Sequence, residues 1–236
     1  MSERFLREKM LLGEAAMEKL KKSHVAVFGL GGVGSWCAEA LARSGVGEIT
    51  LIDEDTVGES NINRQLCALQ SSLGKNKANV MADRVKDINP EIKCNPLAVR
   101  YEASSREQFF EKNYDYIVDC IDLVACKLDL IESAMERSIP IISSMGTGNK
   151  WDAEKLELSD ISKTQACPLA RVMRKELRKK GINRLPVVYS SEKADIPESA
   201  EEPPPGRRSI PGSLVWVTAT AGMLLCSHVV RELIGK

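Results

Sequence analysis

Gly29, Gly31 and Gly34 stand in the order G-x-G-x-x-G, directly behind the apolar run HVAVF and ahead of a helix-forming stretch, with Gly32 in the same turn. At such a junction bare backbone can come close to phosphate oxygens, and the first amides of a helix supply N–H donors and partial positive charge. Asp53 follows 19 residues after Gly34, at the end of the next apolar run, EITLI, where a carboxylate can accept both hydroxyls of a ribose. Glycines for close helix packing and an aspartate capping a turn would leave the same trace. Together the two features favour a nucleotide.

The loop behind Asp53 carries Asp55, Asn61, Asn63, Arg64 and Gln65, and Lys77, Asp119 and Asp122 come later. A nicotinamide dehydrogenase would share the glycines and Asp53. It would also want a proton donor, and the two histidines, His24 and His228, fall just before a strand and inside an apolar helix. A triphosphate suits the constellation better. Arg64 and Lys77 can neutralise charge at the α-phosphate and the leaving pyrophosphate, and Asp122 can hold Mg2+, which takes one or two carboxylates and keeps most of its waters. The plainer alternatives are a solvated lysine on helix 74–88, an N-cap for helix 124–137, and ordinary loop polars at Arg64 and Gln65.

These side chains need a frame. Apolar runs of strand length at 24–28, 48–53, 92–99, 114–122 and 139–145 alternate with helical stretches at 33–44, 74–88, 104–112 and 124–137, behind a helical opening at 3–22. That alternation predicts an α/β fold: a Rossmann-like, doubly wound, mainly parallel sheet with flanking helices, its ligand at the carboxyl ends of the strands. Residues 1–150 make up this nucleotide-binding domain. Residues 151–236 form a C-terminal helical extension packed on the same domain, with a possible strand at KLELSDI, a helix at 168–180 and a short apolar run LPVVYS. Residues 191–212, with five prolines, read as a mobile loop, and a final helix spans 213–234.

With 236 residues, 43% of them hydrophobic, the chain can bury a sizeable core, which excludes a disordered or fibrous protein. Its 33 basic and 33 acidic residues leave no global field, so a polyanionic partner needs a local patch. Between Arg171 and Arg184 seven basic residues face one acid, Glu176. Arg171, Arg174, Lys175 and Arg178 recur at helical spacing with Lys179 beside them, while Leu169, Val172, Met173 and Leu177 can bury the other face. Such a stripe can track a phosphate backbone, or it can be a solvated face balanced by Asp195, Glu198, Glu201 and Glu202. Arg207 and Arg208 add to that surface or to a lid, and Trp151 is a candidate for base stacking or for core packing. The seven cysteines contain no C-x-x-C pair, which indicates a reducing compartment and no zinc site. No signal-peptide pattern opens the chain, and 213–230 barely reaches spanning length, so a cytoplasmic protein without a stable membrane span is expected.

GLGGVGSWCAEALARSGVGEITLID, DTV, SNINRQ, GKNKA and DCID resemble the ubiquitin-activating-enzyme-like adenylyltransferases over roughly residues 4–150. That superfamily binds ATP with Mg2+ and converts a carboxylate into an acyl-adenylate. The resemblance implies that 1–150 is an ATP-binding adenylation domain in which the glycine loop, Asp55, Asn61, Arg64, Gln65 and Lys77 hold the nucleotide. It implies Asp53 on the ribose, and Asp122 managing magnesium and the reacting α-phosphate. RFLR resembles the motif R-[YF]-x-R, whose last arginine, here Arg7, reaches a partner's ATP, so a homodimer is implied. The sulfur-carrier branch usually has paired C-x-x-C motifs, which this chain lacks. Through GGVGSWCAEALARSG, SMGTGNKWDAEKLELSDISKT, PLARVMRKELRKKGI and PGSLVWVTATAGMLLCSHVV the chain resembles instead the tRNA threonylcarbamoyladenosine dehydratase family. That family implies ATP-dependent cyclising dehydration of a modified adenosine in tRNA, releasing AMP and pyrophosphate, with the basic stripe on tRNA. Activation of a ubiquitin-like sulfur carrier is the alternative. A cysteine-desulfurase or sulfur-acceptor partner, a monovalent cation (Na+ or K+) and a thioester role for Cys167, next to Pro168, stay open.

Overall fold

The computed structural model describes residues 3–195 and 211–236. Seven strands, β1 (His24–Phe28), β2 (Glu48–Ile52), β3 (Lys93–Leu97), β4 (Tyr116–Asp119), β5 (Ile141–Ser144), β6 (Leu156–Asp160) and β7 (Pro186–Ser190), form one sheet in the order β3-β2-β1-β4-β5-β7-β6. Every neighbouring pair is parallel except the edge pair β6–β7. All five residues of β1 are buried, as a strand covered on both faces by helices must be. The chain winds outward from β1 to β3, then returns to lay β4 on the other side of β1. That reversal opens a crevice at the carboxyl ends of β1 and β4.

The described residues form seven α-helices, most of them against the sheet: α1 (Leu6–Leu12), α2 (Glu14–Lys22), α3 (Gly34–Arg43), α4 (Lys77–Ile88), α5 (Val124–Glu136), α6 (Pro168–Lys179) and α7 (Val215–Ile234). One core, which includes Leu41, Ile49, Met81 and Leu225, joins the sheet to α3, α4 and α7; a second, with Phe28, Ile117, Leu130 and Met173, lies under α5 and α6. Among the described residues α7 is the one helix long and apolar enough to cross a membrane. It runs along α3 instead, with Val217, Ala221, Leu225 and Val229 fully buried. Gly222 allows that approach, since a Cβ there would sit 2.6 Å from the Val33 carbonyl oxygen and 2.8 Å from Trp36 Cβ.

Four expectations change. The opening helix breaks into α1 and α2 at Gly13, whose φ of +87° a continuous helix cannot contain. The helix expected at 74–88 begins at Lys77, because Gly74 turns with φ of +75° and Asn76 caps the amides of Ala78 and Asn79. Residues 103–109 form a 3-10 turn rather than an α-helix. Beyond residue 150 the strand offered at KLELSDI is present as β6, and the apolar run LPVVYS, not assigned to an element, becomes β7, paired to β5. Of the segment read as a mobile loop, 196–210 lie outside the described residues, Arg207 and Arg208 among them.

Candidate nucleotide-binding site

β1 ends at Phe28, and Gly29 turns the chain with φ of +86°. A Cβ at Gly29 would lie 2.7 Å from the Cys120 carbonyl oxygen, and one at Gly34 would lie 1.8 Å from the Gly29 oxygen. These two glycines close the turn against the exit of β4. Gly29, Gly31 and Gly32 line a cavity of about 850 Å3, with α3 beginning behind them.

Asp53, Asp55, Asn61, Arg64, Gln65, Lys77 and Asp122 line the same cavity, so the loops after β1, β2 and β4 and the first residue of α4 converge on it. Asp53 accepts hydrogen bonds from the Leu30 amide at 2.6 Å and the Asp55 amide at 2.8 Å. Burial raises its carboxyl above the ordinary range, against the pull of those amides and of Lys77. Lys77 is 4% exposed, not the solvated lysine of the plainer alternative, and its Nζ lies 2.8 Å from Asp55 Oδ2. Arg64 donates to the Ser60 carbonyl at 2.8 Å and to Asn63 Oδ1 at 2.9 Å, and its own carbonyl accepts from Trp36 Nε1 at 3.1 Å. The loop is therefore braced before any ligand arrives. Asn63 stands outside the cavity and donates to the Ser213 carbonyl at 2.9 Å, tying that loop to the chain entering α7.

Asp122 is exposed at the cavity wall, whereas Asp119, also a candidate for the triphosphate, is corrected by the structure. It points beneath the site, fully buried, to Lys127 Nζ at 2.7 Å. Among the described residues no group of three or more His, Cys, Asp or Glu is arranged to hold a metal. The donor set fits Mg2+ that arrives on phosphates and takes one or two protein carboxylates.

Cys120 lines the wall, and burial pushes it up to about 12; Cys167 is buried, its Sγ accepting from the Ala170 amide as the N-cap of α6. Both histidines sit in the fold with satisfied rings: His24 Nε2 meets Thr50 Oγ1 at 2.8 Å, His228 Nε2 meets Tyr116 Oη at 2.9 Å, and burial lowers both pKa values.

Arg7 lies exposed on α1, outside its own chain's cavity, beside exposed Leu6, Met10 and Leu11. On α6, Arg171, Lys175, Arg178 and Lys179 are exposed. Arg174 is half-buried and donates to the carbonyls of Ile161 and Thr164 at 3.3 and 2.8 Å and to the Thr164 hydroxyl, so it fastens the preceding turn. Val172, expected on the buried face, is exposed; Ala170, Met173 and Leu177 are the buried residues. Trp151 is 60% exposed, with Nε1 on Asp195 Oδ2 at 3.1 Å and its carbonyl accepting Trp216 Nε1 at 2.8 Å.

Sequence reasoning missed the loop from Met145 to Gly148, Thr218 and Lys127. The first two line the cavity. The glycines of SMGTG, directly after the apolar run of β5, were a usable signal for the loop. Thr218 carried none: it sits inside an apolar helix, and its methyl lies 3.2 Å from where a Cβ on Gly32 would be.

A crevice at the strand-order reversal, a glycine turn at the head of a helix and cations around it define a Rossmann-like nucleotide-binding protein. The chain belongs to the ThiF family, whose model matches residues 5–236. It is 41% identical over 243 residues to the tRNA threonylcarbamoyladenosine dehydratase of Bacillus subtilis, covering 99% of this chain and 96% of that relative. The crystal structure of E. coli tRNA N6-threonylcarbamoyladenosine dehydratase in complex with ATP superposes with a TM-score of 0.89 at 35% identity, covering 98% of this chain and 94% of that one. The adenylyltransferase and sulfurtransferase UBA4 of Saccharomyces cerevisiae is 32% identical over 155 residues, which is 66% of this chain and 35% of that relative.

Proposed function

We propose that this protein is an ATP-dependent tRNA threonylcarbamoyladenosine dehydratase. The observation that carries the reading is the convergence of Asp53, Arg64, Lys77 and Asp122 on one cavity of a chain that aligns end to end with such dehydratases. The match to the sulfur-carrier enzyme stops at two thirds of the chain, which favours the dehydratase over activation of a carrier protein.

In this reading the substrate carboxylate attacks the α-phosphate of ATP, a P–O bond breaks, and pyrophosphate leaves. The product is an acyl-adenylate. The substrate's own nitrogen then attacks the acyl carbon, loses its proton, and expels AMP, so the nucleoside loses one water overall. Arg64 and Lys77 neutralise charge on the phosphates, Asp53 takes the ribose hydroxyls, and the amides at the head of α3 face the polyphosphate. Asp122, aided by Asp55, would hold Mg2+, which supplies charge neutralisation on the phosphates when bound. Ring closure is intramolecular, so holding the substrate supplies the effective molarity and no protein nucleophile is required. A Cys120 thiol raised by burial and a buried Cys167 suit this reading.

We further propose a cytoplasmic homodimer. Exposed Leu6, Met10 and Leu11 on α1 suit a second copy, which would carry Arg7 to the neighbouring site. Arg171, Lys175, Arg178 and Lys179 would meet tRNA phosphates, and the outward ring of Trp151 would stack on an unpaired base.

The test is incubation with ATP, Mg2+ and tRNA bearing threonylcarbamoyladenosine, then mild nucleoside digestion and mass spectrometry. A peak one water lighter that needs both ATP and enzyme is expected. Lys77→Met and Asp122→Ala should each lower the rate at least about 100-fold with the fold kept; turnover retained in either rejects the site.

A further inference from the structure

Beneath the cavity floor, Asp119 and Lys127 form an ion pair in which both side chains are 0% exposed. Lys127 comes from the second turn of α5 and Asp119 from the last residue of β4, so the pair joins a helix to the strand end it follows. Desolvating two charges is costly, and a buried pair of this kind is weak evidence for stability, since apolar residues of similar volume often serve as well. A positional role is the alternative, and the hydrogen bonds around the pair describe one.

Lys127 Nζ also donates to the Ile121 carbonyl at 3.1 Å, and Asp119 Oδ1 accepts from the Ile121 amide at 3.1 Å. Ile121 is thus gripped at both its N–H and its C=O by the two members of the pair. The Ser143 hydroxyl donates to Asp119 Oδ2 at 2.6 Å, which links the same anchor to the end of β5 and the cavity-lining loop that follows. The next residue is Asp122, exposed and lining the cavity. Cys120, on the other side, has its amide on the Phe28 carbonyl at 2.8 Å and its carbonyl against Gly29. One peptide segment, 120–122, is therefore both the wall behind the glycine turn and the carrier of Asp122.

We propose that Lys127, through its pair with Asp119, is the positioning residue that sets Asp122 against the phosphates and fixes the exit of β4. This rests on the reading of Asp122 given above. Lys127 does not line the cavity and touches no reacting atom. Its influence travels through Asp119 and the backbone of Ile121.

The test compares four proteins: wild type, Asp122→Ala, the paired replacement Asp119→Leu/Lys127→Met, and the triple variant. The paired replacement removes both charges together, so no lone buried carboxylate threatens folding, and circular dichroism confirms the fold. ATP affinity is measured by calorimetry with and without Mg2+, and amide exchange is followed at residues 120–122. In the wild-type background, Asp122→Ala should reduce the gain in affinity that Mg2+ brings by about tenfold, whereas in the pair-deleted background the same change should cost less than about twofold. Exchange at 120–122 should quicken in the pair-deleted protein while α3 stays protected. An Asp122→Ala penalty equal in both backgrounds, unchanged exchange at 120–122, or no penalty in either background would each overturn the proposal. None of these readouts uses tRNA. Failure of wild type to yield the water-loss product would reject the dehydratase reading while leaving this coupling to be judged by itself.

Discussion

Asp53 is set by two opposed influences. Burial raises its carboxyl above the ordinary range, and the amides of Leu30 and Asp55 with the Lys77 charge draw it back toward ionisation. A ribose needs the ionised carboxylate as acceptor of two hydroxyl hydrogen bonds, so ATP binds the deprotonated form better and linkage fixes the sign. Affinity should fall as pH drops through the raised value, and over that acidic range binding should release a proton from this group. Calorimetry in buffers of differing ionisation enthalpy reads that release directly. Asp53→Asn should abolish this proton release and weaken ATP binding about tenfold or more; a release that survives the substitution would assign it to another group. The type and spacing of Asp53 made its place at the cavity legible in the sequence. Lys77 was legible as a residue of the cavity but not as a buried one, because its burial comes with Asp55 and the loop packed over α4, and no local pattern encodes that packing.

Helix against helix decides how firmly the glycine turn is held. The head of α3 carries that turn, and α7 backs α3 along Gly222, where even a methyl would meet the Val33 oxygen at 2.6 Å. Gly222→Val should cost about 1–3 kcal/mol in chemical denaturation and weaken ATP binding as well, since a displaced α7 also withdraws Thr218 from Gly32. Loss of stability with unchanged ATP affinity would show the turn to be held by Gly29 and Gly34 alone. On α6 the helical spacing correctly predicted a basic face over buried Met173 and Leu177. It could not tell Arg174, spent on the carbonyls of Ile161 and Thr164, from its neighbours, because hydrogen bonds to a preceding turn leave no periodic trace. The informative reversal is therefore Arg171→Glu/Lys175→Glu/Arg178→Glu, which spares the Arg174 anchor. It should weaken tRNA binding and flatten its salt dependence by up to about three phosphate contacts, read as the slope of log affinity against log salt. An unchanged slope would move the tRNA surface elsewhere.

At the scale of the whole molecule, a doubly wound parallel sheet with its ligand at the carboxyl ends of the strands followed from alternating apolar runs, whereas the strand order itself came from the structure. Strand β7 was harder to read, since PVVYS joins the sheet through a non-local partner in β5, and the edge strand β6, readable at KLELSDI, pairs in turn with β7. A second copy is suggested in the sequence by the resemblance of RFLR alone, and exposed Leu6, Met10 and Leu11 beside Arg7 suit it; Met10 and Leu11 are 79% and 81% exposed. If two copies exchange Arg7 across a twofold axis, each site is built from Lys77 of one chain and Arg7 of the other. Arg7→Ala and Lys77→Met would then both be inactive alone. In their mixed dimer one site would combine the intact Lys77 of the first variant with the intact Arg7 of the second, and the other site would lack both. Random reassociation puts about half of the chains into mixed dimers, so mixing should restore about a quarter of wild-type activity per site. Activity that does not rise on mixing, with dimers verified by sedimentation, would place Arg7 at its own chain's site or outside the reaction. A monomer in sedimentation would leave the α1 apolar face to another partner and remove Arg7 from the catalytic set.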